Sequence, residues 1–222
     1  PTDRDLVPGS YHVAVSHGLE YDVHEADVTL ADGATATVTA MLPRAIDTTG
    51  LIGTDFHLHS ELSTDSRHRV DDALRMIAAE GLELVASTDH DYLTDYADVA
   101  AGAGVAAWLV TVTGEEVSST VYGHLGGYPL ARDAALAGGG AVVWLDANVL
   151  DAIAGIRARG DAALGGALVQ INHPRLRGGG FFDYLARGAP YGPDDGTIAP
   201  WAVVASLPFA PVIANAASCA LF

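Results

Sequence analysis

Two histidines at the end of a strand-like run constrain the fold of this chain more than any other feature. The run reads Gly53-Thr-Asp-Phe-His57-Leu-His59-Ser60. Because successive side chains alternate across a β-strand, His57 and His59 are predicted to point to the same side, where they can share one cation. Imidazole is the commonest metal ligand near neutral pH. Barrels and open sheets of α/β proteins place their chemistry at such strand ends.

Further ligand types follow the next strand-like run. The apolar stretch from Leu82 leads into Ser87-Thr-Asp89-His90, and Asp65 offers an oxygen ligand shortly after the first histidines. A single histidine is more often a hydrogen-bonded structural residue. Histidines at the ends of two strand-like runs, with acids beside them, favour a metal site. Mixed nitrogen and oxygen ligands suit zinc, manganese or iron.

The second half of the chain repeats this pattern twice. A strand-like run at 108–113 leads into Glu115 and Glu116, and His124 follows eight residues after Glu116. A solvated acid pair and a turn histidine are the simpler interpretation, but their position after a third βα unit favours a second metal position. Another apolar run ends at His173, where a proline stops the strand.

The fold class predicted from periodicity is α/β. Residues 10–42 alternate as a small antiparallel β unit, with strand-like Ala36–Ala40 and a turn at Asp32-Gly33. From Leu51 strand and helix patterns alternate, which predicts a parallel sheet or a barrel. The predicted strands are 51–57, 82–88, 108–113, 141–145 and 167–172, with a helix at 69–80 that Gly81 ends. The expected division is a β unit and connector at 1–50 and a barrel domain at 51–222.

Charge and cysteine content exclude several function classes. Twenty-eight acids and eleven bases give a formal charge of −17, which argues against nucleic-acid and anionic-membrane partners but not against a phosphorylated small molecule. Cys219 is the single cysteine, so the chain has no disulfide framework and no thiolate metal cage. The chain starts at Pro1 without a leader-like segment, so we expect a trimmed N-terminus, and the compartment can be cytoplasmic or exported.

In order and spacing, these motifs resemble the PHP (polymerase and histidinol phosphatase) family of metal-dependent hydrolases. The motifs are HLHS, Asp65, STDH, GEEVS, GH and NHPR. The flanking runs DFHLHSELSTDS, TDHDYLTDY and YGHLGGYPL are similar to the CehA/McbA-like, carbaryl-hydrolase-like subgroup. The resemblance covers about residues 8–185. It implies a PHP-type distorted (β/α)7 barrel, a TIM-like arrangement that holds two or three divalent ions at its mouth.

The resemblance also implies roles for individual residues. The positions that match family metal ligands are His57, His59, Asp65, His90, Glu116, His124 and His173. Glu116 would be the bridging carboxylate with Glu115 as its neighbour. Asp89 would be a supporting group that orients His90 or an adjacent residue, since such carboxylates fix ligand tautomers. Arg175 matches a position that can contact a substrate phosphate with its planar fork.

The chain departs from the family pattern at its C-terminal side. PHP proteins typically finish their site with a late Asp-x-His motif, and none follows residue 185. The nearly uncharged tail at 186–222 is atypical of the closing βα units, so we expect a barrel that is incomplete at the C-terminus.

The function expected from these motifs is hydrolysis by a metal-activated water. The substrate would be a small-molecule phosphoester, which Arg175 favours, or an aryl ester or carbamate, which the subgroup favours. The alternative is a degenerate or truncated PHP module that binds metal or serves as a structural domain without catalysis, which the missing motif favours. A nuclease or polymerase-associated module would fit the family, but the acidic charge argues against it.

Overall fold

The first two strands form a small antiparallel ribbon. We describe the protein from a computed structural model, which covers residues 5–176 and 180–182 and the backbone of 212–214. Strand β1 (Gly9–Val15) pairs with β2 (His24–Leu30), with Gly9 opposite Leu30 and Val15 opposite His24. The alternation in sequence appears as one half-buried and one exposed face.

The prediction of a strand at Ala36–Ala40 is wrong. A turn does form at Asp32-Gly33, where Ala34 N donates to Ala31 O at 3.1 Å, but residues 34–43 form no strand. Most side chains of this segment are exposed, and their small apolar groups have little surface to bury. Alternation alone therefore does not add a third strand to the ribbon.

A three-stranded parallel sheet follows. Its order is β3 (Thr54–Leu58), β4 (Leu84–Ser87) and β5 (Val110–Thr113), joined by helices α1 (Val70–Ala79) and α2 (Ala97–Ala103). The strands predicted at 51–57, 82–88 and 108–113 and the helix predicted at 69–80 are confirmed, with ends that differ by up to three residues. Parallel strands bring their carboxyl ends to one edge of the sheet, where the site lies.

Helix α1 forms because its apolar residues recur at helical spacing. Val70, Ala73 and Leu74 are buried on one face, and Asp71 lies in the first turn, where the helix dipole favours an acid. Arg75 pairs with Asp71 at 3.0 Å one turn later. The buried side chains of α1 pack against residues of β4 and α2. Helix α1 therefore covers one face of the parallel sheet.

A second sheet of four strands carries the other half of the fold. Its order is β6 (Glu115–Ser119), β7 (Gly123–Tyr128), β8 (Leu168–Ile171) and β9 (Val212–Ala214). Neighbouring strands are antiparallel except β8 and β9, which are parallel. The strand predicted at 167–172 is confirmed. Helix α3 (Val149–Ala158) begins at a capping box formed by Asn148 and Asp151, and short 3₁₀ turns lie at Ala137–Gly139 and Ala162–Leu164.

The strand predicted at 141–145 is wrong. Residues 141–144 have no regular structure and lead into a turn before α3. Backbone N of Val142 donates to the carboxylate of Glu115 at 3.1 Å, so a side chain takes the hydrogen bond that a neighbouring strand would need. Gly138, Gly139 and Gly140 precede this segment with positive φ angles, which interrupt an extended run.

The described residues form a mixed α/β fold of three separate sheets, in which no sheet closes into a barrel. One apolar core lies between α1, α2 and β4, and the other between α3 and strands β6 to β8. The tail that the sequence marked as atypical, 186–222, lies outside the described residues apart from the backbone of β9. Within the described part of the chain, no helix has the length and apolar character needed to cross a membrane.

Two glycines allow other parts of the fold to pack closely around β7. Gly114 joins β5 directly to β6, and a Cβ there would lie 2.6 Å from the carbonyl oxygen of Gly127. Gly127, on β7, faces α3, and a Cβ there would lie 2.5 Å from Cγ2 of Ile156. Real Cβ atoms do not approach other atoms this closely, so both positions require glycine for packing.

Replacing Gly127 by alanine is expected to destabilise the protein by about 1–3 kcal/mol, because the methyl group overlaps Ile156 in a closely packed core. The control is Gly102→Ala on α2, where a Cβ meets no atom within 4 Å. That variant should be neutral or more stable by roughly 0.5–1 kcal/mol, since alanine is the better helix former. Urea unfolding followed by circular dichroism measures both, and equal stability of the two variants would contradict this packing.

Candidate metal centre

The two histidines of β3 meet one buried carboxylate. His57 lies in β3 and His59 directly follows it, with their ring centroids 5.0 Å apart. Nε2 of His57 lies 3.4 Å from Oε1 of Glu116, and Nε2 of His59 lies 3.2 Å from Oε2 of the same carboxylate. Both rings therefore lie on one side of the sheet, as their spacing predicts.

Glu116, on β6, is the centre of the cluster. Its side chain is 0% exposed, whereas the imidazoles around it keep between 13% and 26% of their surface exposed. Oε1 lies 3.2 Å from Nδ1 of His124 and 3.1 Å from Nε2 of His173, and Oε2 lies 3.2 Å from Nδ1 of His90. All five imidazoles that the sequence predicts as ligands thus surround a single carboxylate.

The remaining three histidines lie on or just after strands β4, β7 and β8. His90 follows β4 and is held beside β6 by a backbone bridge to Glu116. His124 lies on β7 opposite Ser118. His173 follows β8 with a φ of +26°, a backbone angle that is unusual for a residue other than glycine. Such angles cost of order 1–3 kcal/mol and cluster at functional sites.

Asp65 reaches the cluster from the loop between β3 and α1. Its Oδ1 lies 3.3 Å from Nδ1 of His59, and its Oδ2 lies 3.3 Å from Nε2 of His90. Partial burial raises the pKa of Asp65, but a hydrogen bond with Ser63 and the two histidines outweigh it and lower the pKa below its ordinary value. The side chain is 55% exposed, so the cluster opens to solvent on this side.

The candidate ligand atoms fall into three groups, in each of which all atoms lie within 4.8 Å of one another. The groups are His57, Glu116 and His173; His59, Asp65 and His90; and His90, Glu116 and His124. Glu116 and His90 each belong to two groups. All seven residues predicted as metal ligands therefore lie in one cluster with more than one possible ion position.

Two buried atoms lack the partners that a closed polar cluster would supply. Oε2 of Glu116 and Nδ1 of His173 make no hydrogen bond within the described residues, although rings lie within 3.2 Å of Oε2. Leaving a buried acceptor of a charged group without a donor costs free energy. A cation would satisfy this carboxylate, and a set of imidazole nitrogens and carboxylate oxygens suits zinc, manganese or iron. The described residues therefore fit divalent ions.

Electrostatics also favour a cation here. Burial on its own raises the pKa of the Glu116 carboxyl, but the ring nitrogens of His124, His173 and their neighbours outweigh it and hold that pKa well below its usual range. Burial lowers the pKa of His59, while the Glu116 and Asp65 carboxylates raise it above its ordinary value. Glu116 is thus ionised at neutral pH and needs positive charge around it.

Asp89 lies behind the cluster. It is fully buried and accepts hydrogen bonds from Ser60 N at 2.7 Å, from Ser60 Oγ at 3.0 Å and from the Tyr96 hydroxyl at 2.6 Å. Burial, and then the Asp89 charge, raise the pKa of Tyr96, which keeps its proton for this bond. Among the described hydrogen bonds, the carboxylate of Asp89 binds Ser60, the residue after His59, and makes none to a ring of the cluster.

The neighbouring acid, Glu115, faces away from Glu116. Both lie on β6, and successive side chains of a strand point to opposite faces. Burial raises the pKa of Glu115 to about 8, and its carboxylate accepts from Val142 N at 3.1 Å. Glu115 therefore holds the segment before α3, and the two adjacent acids serve different parts of the fold.

Arg175, predicted to contact a substrate phosphate, lies in the turn two residues beyond His173. It is exposed, and its guanidinium carbon lies 6.0 Å from the ring centroid of Phe182. Arg175 therefore lies at the surface beyond the end of β8, with its guanidinium over the Phe182 ring.

The sequence analysis missed the polar side chains that support Glu116 from behind. Nδ2 of Asn172 donates to Oε1 of Glu116 at 2.8 Å, and Nε2 of Gln170 donates to Oδ1 of Asn172 at 2.7 Å. Both amides are buried in β8 and directly after it. The signal was two amides at period-two spacing in an otherwise apolar strand, which places both on one face.

Asp91 was also missed. Its Oδ1 accepts from Ser118 N at 3.0 Å and its Oδ2 from Trp144 Nε1 at 3.2 Å, and its φ is +53°. These bonds tie the loop after β4 to β6, which fixes the position of His90. The acid directly after the histidine in Thr-Asp-His-Asp was the available signal.

One family comparison matches the end of the chain. The Glycoamylase family model, described as "Putative glucoamylase", matches residues 165–221, about a quarter of the chain. Of the candidate ligands, the match contains only His173. The three acidic residues of the matched segment, Asp183, Asp194 and Asp195, lie outside the described residues.

No curated protein matches the chain by sequence. Among solved structures, the chain is similar to a two-domain protein from Bacteroides vulgatus that contains a predicted PHP-like metal-dependent phosphoesterase. The TM-score is 0.41 with 18% identity, and the likeness covers 58% of this chain and 36% of that one. The chain therefore spans about a third of that protein, and a likeness this weak does not assign it to a family.

Proposed function

We propose that this protein is a metal-dependent hydrolase that uses an activated water on a phosphoester, or on an aryl ester or carbamate, of a small molecule. The observation that carries the proposal is the convergence of five imidazoles and two carboxylates on one partly open cluster, with a buried carboxylate oxygen that has no hydrogen bond. A structural role alone does not explain this arrangement, because an apolar core would avoid the cost of burying so many polar groups.

The candidate ions are two or three divalent cations, of zinc, manganese or iron. His57, Glu116 and His173 would hold one, and the two groups that share His90 would hold the others. Bound divalent ions lower the pKa of water toward about 7 and polarise a phosphoryl or carbonyl oxygen. The chain itself supplies the orientation of the ligands, since each histidine is fixed at the end or edge of a strand.

The remaining residues would bind and position the substrate. The side of the cluster next to Asp65 is open to solvent, so a small molecule can enter there. Arg175 would contact an anionic substrate, because its planar guanidinium can donate two parallel hydrogen bonds to a phosphate. Asp89 would hold the loop after His59 in place through Ser60. This assignment supports phosphoesters over neutral esters.

The motif resemblance extends the proposal to the PHP family and its CehA/McbA-like subgroup, including the PHP-type (β/α)7 barrel. Support comes from the order HLHS, STDH, GEEVS, GH and NHPR in the sequence and from the cluster that these motifs form. The subgroup favours an aryl ester or carbamate, whereas Arg175 favours a phosphoester. Nucleic acid is a poor partner for a chain with a formal charge of −17.

The alternative is a degenerate PHP module that binds metal without catalysis. It is favoured by residues 186–222, which carry no Asp-x-His motif. In that case His57→Ala would change metal content and stability while no hydrolysis depends on the cluster.

Chelation is expected to abolish hydrolysis of p-nitrophenyl phosphate or p-nitrophenyl esters, and added manganese or zinc to restore it. His57→Ala should lower kcat/KM at least about 100-fold, because even partners of metal ligands typically contribute 10–100-fold. His68→Ala is the control, since His68 is exposed and belongs to no ligand group. Hydrolysis that is indifferent to chelator, or equally reduced in both variants, would contradict the proposal.

Arg175→Ala is expected to lower kcat/KM for the phosphoester by about 10–100-fold, which corresponds to the free energy of one charge-assisted hydrogen bond. The variant should hydrolyse a neutral ester as well as the wild type does. Arg175→Lys should retain part of the activity because it keeps the charge but not the fork. Arg75→Ala, at an exposed position of α1, is the matched control. Steady-state kinetics with both substrates measures these effects, and an equal loss for ester and phosphoester would rule out a phosphate contact.

A further inference from the structure

A chain of three hydrogen bonds leads from the protein interior to Glu116. The hydroxyl of Tyr128 donates to Oε1 of Gln170 at 2.7 Å, and Nε2 of Gln170 donates to Oδ1 of Asn172 at 2.7 Å. Nδ2 of Asn172 then donates to Oε1 of Glu116 at 2.8 Å. Tyr128 is held by a stacked Phe56 ring with centroids 4.6 Å apart. We call these three side chains, Tyr128, Gln170 and Asn172, the relay.

The direction of the relay is fixed at both ends. Glu116 is ionised and can only accept, so Asn172 must turn its NH2 group toward it. The Asn172 oxygen then needs a donor, which orients the amide of Gln170, and the Gln170 oxygen needs the hydroxyl proton. Burial raises the pKa of Tyr128 to about 12, so that proton is present. Reversing any member would place two acceptors against each other.

The relay occupies space that an apolar core could fill. Gln170 and Asn172 are buried next to Val169 and Ile171, and buried amides stabilise a fold less than packed apolar groups unless every polar atom is bonded. Gly126 lies opposite Gln170 on β7 and packs against the amide of Asn172, since a Cβ there would lie in van der Waals contact with it, 3.4 Å from its oxygen. Sequence and packing are thus arranged to bring an amide to Glu116.

Asn172 differs from the other groups around Glu116. The ring nitrogens of His57, His124 and His173 lie 3.1–3.4 Å from Oε1. A ring nitrogen that binds a cation uses its lone pair and cannot donate to Glu116 at the same time. An amide nitrogen has no lone pair available for a cation, so Asn172 donates whether or not the histidines are engaged.

We infer that Asn172 is a positioning residue for the metal centre: its hydrogen bond to Oε1 fixes the orientation of the Glu116 carboxylate, so that the remaining lone pairs of both oxygens face the histidine nitrogens that would hold cations. Gln170 and Tyr128 fix the orientation of its amide. The inference rests on the proposed function, because it assigns a role toward an ion. Groups that support metal ligands in this way typically contribute 10–100-fold to metal affinity.

Zn²⁺ binding to the purified, metal-stripped chain tests this inference. Competition with a chromophoric chelator gives the dissociation constant of the tightest site without any activity assay. Asn172→Ala should weaken that constant about 10–100-fold. Tyr128→Phe keeps the stacked ring and removes only the hydroxyl, so it should weaken binding by about 2- to 10-fold, the value of one hydrogen bond.

Asn148→Ala is the matched control. It also removes an asparagine that makes hydrogen bonds, at the capping box of α3, so it should lower the melting temperature and leave Zn²⁺ affinity unchanged. If Asn172→Ala fails to fold by circular dichroism, Tyr128→Phe decides the question. If a folded Asn172→Ala or Tyr128→Phe protein binds Zn²⁺ as tightly as the wild type, the role of the relay is wrong but the proposed function stands. A wild-type chain that binds no Zn²⁺ would overturn the proposed function, and the inference with it.

Discussion

The described structure depends on one interaction, the burial of the Glu116 carboxylate among five imidazoles. A carboxylate with no exposed surface is costly unless positive or donor groups surround it. Those groups come from the two larger sheets: His57, His59 and His90 lie at the ends of β3 and β4, and His124 and His173 lie on β7 and after β8. The carboxylate therefore couples the assembly of the two halves, and its environment is arranged for a cation.

Two adjacent glutamates of β6 have different surroundings because successive side chains of a strand point to opposite faces. Glu115 and Glu116 are both fully buried, yet burial raises the pKa of Glu115 to about 8 while surrounding rings hold the pKa of Glu116 far below its usual range. Glu115 accepts a hydrogen bond from the backbone N of Val142, which is then not available for pairing with a strand. The segment around Val142 is accordingly irregular. Alternation across the strand is the physical cause of both outcomes.

Much of the site could be predicted from the sequence because most of its ligands lie in strands or within two residues of a strand end. The two-residue spacing of His57 and His59 fixes their common side, and apolar runs before His90 and His173 mark the strands that carry them. Support by Asn172 was not predictable in the same way, since it depends on a contact between β8 and β6 that is distant in sequence. The strand expected at 141–145 failed for a related reason: periodicity does not show which group takes a backbone hydrogen bond.

The central claim, that the cluster around Glu116 binds metal, is tested most directly by the metal content of the purified chain. After loading with zinc or manganese and removal of free ions, elemental mass spectrometry should find two or three ions per wild-type chain and fewer in Glu116→Gln. His68→Ala should keep the wild-type content. A wild-type chain without bound ions, or a folded Glu116→Gln with the full content, would contradict the account.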